Sequence, residues 1–258
     1  MKRRILPASR HSSITWNLSP KISSTRTLFK MRSSLLLPFA EYGRSVLGTA
    51  LRYIPCTEAC RLLVIAGIHG EEPETTFLLS RALRGFEQPF ENIAFVLCAN
   101  PDGMTLGIRC NVNGVDLNRN FPTSNWSADA VYCRSVLEAS RDTELSPGTA
   151  PGSESETRAL VALVEKLSPE SVLSIHAPIA CIDAPSKSPL VEQLCAAFNL
   201  PWRPDIGYPT PGSLGTWCKE RKSPECVTLE LPRMSLEALY DRYGESFSAF
   251  LRSYSSRR

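Results

Sequence analysis

The sequence predicts an α/β domain built on a mixed, mostly parallel β-sheet with helices on both faces. Short, continuous apolar runs bounded by glycine or turn residues recur along the chain, and segments of helical periodicity separate them. Such runs are how buried parallel strands read, because crossover helices cover both faces of the sheet.

The first run, Leu62-Leu63-Val64-Ile65-Ala66, ends at Gly67 and is followed by a helix pattern from about Glu74 to Leu83. A second strand spans Ile93 to Cys98 and runs into the turn residues Asn100-Pro101-Asp102-Gly103. Ser153 and Glu156 have the spacing of a capping box, so a helix should continue through Leu163 to about Leu167. Val172 to Ile175 reads as a third strand, Leu190 to Phe198 as a helix and Gly207 to Gly215 as a loop. Val227 to Leu231 is a fourth strand, and Leu236 to Leu251 a closing helix.

A chain of 258 residues supports one large core. Residues 1–41 are expected to be a basic, disordered N-terminal extension, and residues 42–258 a single folded domain. Eight Lys and Arg residues precede Glu41, the first acid; the remaining 21 bases face 26 acids, a net of about −5. A mildly acidic body repels phosphates, so no nucleic-acid partner is expected. The leader is rich in Ser and Arg like a transit peptide, and Met31 offers an internal start. No segment reaches the ~20 apolar residues of a membrane span, so no membrane partner is expected. Nine cysteines without a Cys-x-x-Cys pair point to free thiols in a cytoplasmic protein.

Two of the three histidines, His69 and His176, follow predicted buried strands, where ligand sites gather in α/β sheets. His69, Glu72 and His176 make a His/Glu/His set, the three-ligand kit of a catalytic zinc that keeps a fourth position for water. Taken alone, His-x-x-Glu arises by chance, and a lone histidine is more often structural.

The order of further motifs resembles the zinc carboxypeptidase family. His69-x-x-Glu72 is followed by Asn100-Pro101-Asp102-Gly103, Val115-Asp116-Leu117-Asn118-Arg119-Asn120, His176 after a strand, and Glu230 within Thr228-Leu229-Glu230-Leu231. Tyr42-Gly43-Arg44-Ser45, Gly107-Ile108-Arg109 and Pro211-Gly212-Ser213 bring the resemblance closer to the family's murein peptide amidase branch.

The resemblance implies one Zn²⁺ per chain held by His69, Glu72 and His176, with residues 42–258 as a zinc carboxypeptidase-like catalytic domain. It implies Glu230 as general base and Arg109 as stabiliser of the tetrahedral oxygen. Asn118 and Arg119 would hold the free carboxylate of the leaving amino acid, and Asp116 would fix the tautomer of His69. Beyond the Gly212–Trp217 loop, Trp217-Cys218-Lys219 supplies no phenol to close over the substrate, which leaves Tyr208 as a substitute. The implied activity is hydrolysis of the γ-D-glutamyl–meso-diaminopimelate bond of murein tripeptide in cytoplasmic cell-wall peptide recycling, by a homodimer. Alternatives are another C-terminal peptide or N-acyl amino acid as substrate, or a silent receptor for murein fragments.

Overall fold

The structure, a computed structural model, describes residues 35, 37–135 and 141–256. A six-stranded sheet contains β3 (Leu62–Ile65), β4 (Ile93–Val96), β7 (Ser171–His176), β8 (Ile179–Asp183), β9 (Trp202–Arg203) and β10 (Glu225–Pro232). Its strand order is β4-β3-β7-β10-β8-β9. All neighbours are parallel except β8 and β10, so the sheet is mixed and mostly parallel as expected.

Residue alternation along the strands sorts the core into two layers. Leu62, Val64, Leu173, Ile175, Val227 and Leu229 pack with α1 (Pro73–Leu83), α4 (Pro189–Phe198) and α6 (Leu236–Ser255). Leu63, Ile65 and Val172 face α3 (Ser155–Leu167) and α5 (Leu214–Arg221) on the other side. Each central strand is therefore buried on both faces, which explains its unbroken apolar run.

β1 (Ala40–Arg44) and β2 (Ala50–Tyr53) form an antiparallel pair, with Ala40 opposite Tyr53. The expected boundary between residues 41 and 42 falls inside β1, and Leu37 is already buried in the core, so the fold begins earlier than the charge pattern implied. The charge pattern could not mark this, because the first acid, Glu41, lies within the strand. The rest of the expected extension, residues 1–34 and 36, lies outside the described residues. A second small pair, β5 (Val131–Ser135) with β6 (Arg141–Leu145), precedes α3.

Two local expectations are corrected. Asn100 and its followers are not a bare turn: Asn100 caps α2 (Pro101–Leu106), its side-chain oxygen accepting a hydrogen bond from Gly103 N. Helix α3 forms without the capping box, because Ser153 Oγ donates to Glu154 and the buried Glu156 accepts from Val46 N and Asn111 Nδ2. All nine cysteines are free, and among the described residues no helix is long and apolar enough to cross a membrane.

Candidate active site

From β3 the chain turns to β4 on one side and later returns to β7 on the other. The crevice at such a switch point, beyond the carboxyl ends of the strands, is where open α/β sheets bind ligands. His69 lies four residues beyond β3, Glu72 immediately precedes α1, and His176 ends β7.

Nδ1 of His69 lies 2.7 Å from Glu72 Oε1, Nδ1 of His176 lies 3.2 Å from Glu72 Oε2, and the two Nδ1 atoms are 3.2 Å apart. All three side chains are buried. One donor atom from each falls within 4.8 Å of the others. Ligands about 2.0–2.1 Å from a tetrahedral zinc stand about 3.3 Å apart, so the spacing of the two imidazoles fits such an ion. Two nitrogens and a carboxylate, with room for a fourth ligand, are the donor set of catalytic zinc.

Charge keeps the carboxylate ready to bind. Burial alone would raise the pKa of Glu72, but His69 and His176 outweigh it and hold it well below the usual range. For His69, burial and Arg109 push the pKa down, yet Glu72 and Asp116 prevail and the net direction is upward.

Asp116 is fully buried beneath this cluster. Its Oδ1 is 3.3 Å from His69 Nε2, its Oδ2 accepts from Arg109 Nε at 2.9 Å, and Oδ1 also accepts from Asn118 N at 2.9 Å. Burial opposes its ionisation, but Arg109 and His69 hold the pKa well below the ordinary aspartate value. One carboxylate thus positions the ring of His69, the guanidinium of Arg109 and the turn carrying Asn118 and Arg119.

The loops are fastened by the Asn100 side chain, whose Nδ2 donates to Ile68 O at 3.3 Å and Cys110 O at 3.0 Å. It joins the segment before His69 to the segment after Arg109. Gly70 permits this closeness: a Cβ there would sit 2.1 Å from the carbonyl carbon of Gly103.

Glu230 lies on β10 in register with His176 on β7, and both face the α3 and α5 side of the sheet. Its Oε2 accepts from Ile179 N at 3.4 Å. Burial raises its pKa above the ordinary glutamate value; His176 opposes this shift and Glu72 adds to it.

Beside the cluster opens a cavity of about 810 Å³, lined by Arg109, Asn118, Arg119, Tyr208 and Glu230 among others. The Asn118 Oδ1 accepts from Leu214 N at 3.0 Å, which leaves its Nδ2 donors for a ligand. Arg119 Nη1 is oriented by the Asn118 carbonyl at 2.8 Å. Gly212, at φ +68°, lies so close to Arg119 that a Cβ would stand 2.2 Å from its carbonyl oxygen. The expected loop through Gly215 ends sooner, because Ser213 caps α5 by accepting from Thr216 N at 3.1 Å.

The structure therefore brings together all eight residues singled out from sequence. It places Tyr208, the substitute phenol named from the sequence, on the cavity wall, where burial first, and then Glu230, raises its phenol pKa against the pull of Arg119. It adds Asp183, at the end of β8, and Asp205, in the loop after β9, which no spacing rule identified because only the folded sheet brings them to the site.

Comparison with known proteins gives a consistent answer. Residues 39–182 match the zinc carboxypeptidase family. Murein peptide amidase A of Escherichia coli K12 is 44% identical over 214 residues, covering 82% of this chain and 88% of that protein. The Vibrio campbellii protein of the same name is 39% identical over 246 residues, covering 94% and 96% respectively. The crystal structure of murein-tripeptide amidase from Escherichia coli O157 superposes with a TM-score of 0.80 at 39% identity, covering 86% of this chain and 94% of that one. Carboxypeptidase A of Helicoverpa armigera, 18% identical over 85% of this chain and 67% of its own with a TM-score of 0.63, shares the fold. The chain belongs to the zinc carboxypeptidase family and is a zinc-dependent hydrolase.

Proposed function

We propose that this enzyme hydrolyses the γ-D-glutamyl–meso-diaminopimelate amide of free murein tripeptide. The observation that carries the reading is the convergence of His69, Glu72 and His176 beside Glu230, on the wall of a cavity that Arg119 also lines. The similarity to proteins named murein peptide amidase supports the choice of substrate.

His69, Glu72 and His176 would hold the zinc ion, which would supply Lewis acidity and make water more acidic at neutral pH. The protein's own side chains do the rest. Arg119 and the Asn118 amide grip the α-carboxylate of the leaving residue, the guanidinium through two parallel charge-assisted hydrogen bonds. Glu230 takes the proton of the attacking water and delivers it to the departing amine, the task for which a carboxylate of raised pKa is suited. Arg109, held by Asp116, places fixed positive charge where the amide oxygen becomes anionic. Tyr208 covers the substrate from the cavity wall.

The reading places the reaction in the cytoplasm, in the recycling of cell-wall peptides, and nine free thiols suit a reducing compartment. The test is mass-spectrometric detection of diaminopimelate released from murein tripeptide by the zinc-loaded protein. Rapid cleavage of ordinary C-terminal peptides with no release of diaminopimelate would refute the substrate. Undiminished release after Glu230→Gln would refute the mechanism.

A further inference from the structure

The leaving residue of the proposed substrate carries a second ammonium at the far end of its side chain, and that charge needs a partner inside the cavity. Asp183 ends β8 and is half-buried on the cavity wall. Ile182 points into the core layer of α1, α4 and α6, so its neighbours Cys181 and Asp183 face the opposite side, that of the metal cluster. Antiparallel pairing places Cys181 opposite Glu230 and Asp183 opposite Thr228.

Asp183 is therefore two residues along the ladder from Glu230, a step of roughly 7 Å. In an extended diaminopimelate chain the distal amine lies roughly 6 Å from the carbon that bears the scissile nitrogen, from ordinary bond lengths and angles. A substrate with its scissile bond beside Glu230 and its leaving side chain directed along β8 brings that amine to Asp183.

The surroundings suit a cation. Among the described residues Asp183 has neither an ion pair nor a side-chain hydrogen bond. Burial is the main influence that raises its pKa, and the nearby carboxylate of Asp205, on the same cavity wall, adds to it while His176 opposes. A half-buried carboxylate beside another carboxylate lacks the compensation that buried charge requires, and an incoming ammonium provides it.

We propose that Asp183 accepts the distal ammonium of the leaving amino acid and so selects a diamino acid over its mono-amino analogue. The assignment deepens the substrate reading above and rests on it for the identity of the ligand. Its test uses equilibrium binding, so that it stands apart from turnover.

Calorimetric titration of the zinc-loaded full-length protein should show meso-diaminopimelate binding about tenfold more tightly than 2-aminopimelate, which lacks only the distal amine. That gap should close in Asp183→Asn and persist in Asp183→Glu, which keeps the charge. Equal binding of the two ligands by the unsubstituted protein, or a gap undiminished in Asp183→Asn, would overturn the proposal. Circular dichroism separates a folding defect from a lost contact, and a misfolded Asp183→Asn passes the decision to the ligand comparison in the unsubstituted protein. A retained gap without release of diaminopimelate from tripeptide would count against the substrate reading alone.

Discussion

Oδ1 of Asp116 lies 3.3 Å from Nε2 of His69, on the ring edge turned away from Glu72. A buried carboxylate so placed fixes which imidazole nitrogen carries the proton and makes the other a better metal donor. Asp116→Ala should weaken zinc binding about 10- to 100-fold, as loss of such outer partners does. Competition against a chromogenic chelator measures it; unchanged affinity would remove Asp116 from the metal centre.

Glu230 should set the acid limb of the pH–rate profile. A general base works only when deprotonated, and burial raises the pKa of Glu230. The limb in kcat/KM should therefore fall above the ordinary glutamate value of 4.5, with activity lost as pH drops through it. Glu230→Gln should reduce kcat about 10²- to 10⁴-fold.

Arg109 and Arg119 should differ in kinetic signature. Arg109→Ala should lower kcat about 10²-fold or more, because its charge acts on an oxygen that becomes anionic only in the transition state. Arg119→Ala should act mainly on KM, and Arg119→Lys should restore little, because an ammonium cannot reproduce the paired hydrogen bonds of the planar fork. Steady-state kinetics on tripeptide distinguishes the two; identical profiles would merge the roles.

Gly70→Ala should damage the site without touching any ligand. The added methyl carbon would meet the Gly103 carbonyl carbon at 2.1 Å, so either the His69–Glu72 loop or the start of α2 must move. Overpacking of this kind costs about 1–3 kcal/mol, which thermal unfolding would register together with weaker zinc retention.

The buried strands and the helices behind them were legible in the sequence because a strand covered on both faces is apolar at every position, as Leu62–Ile65 is. β1 was not, because Ala40–Arg44 is polar and partly exposed and gains its partner only through β2. The His69, Glu72 and His176 set was legible as chemistry only through the order of the further motifs, from Asn100-Pro101-Asp102-Gly103 to Glu230, because the three residues alone have commoner structural explanations. Ser153 and Glu156 misled because capping-box spacing is local, whereas Glu156 is drawn inward by the distant Val46 and Asn111. Asp183 was silent for a related reason: its importance depends on which strand the sheet brings beside Glu230.

The strand order has a consequence for how this enzyme can change. Glu230 sits on β10, hydrogen-bonded along both sides by β7 and β8, whereas Asp183 and Asp205 border the two-residue strand β9 at the margin of the sheet. On the proposed reading, the bond-breaking machinery is anchored in the middle of the ladder, and the surface that meets the departing side chain lies toward its periphery. New preferences can be written at the margin while the reactive centre stays in place.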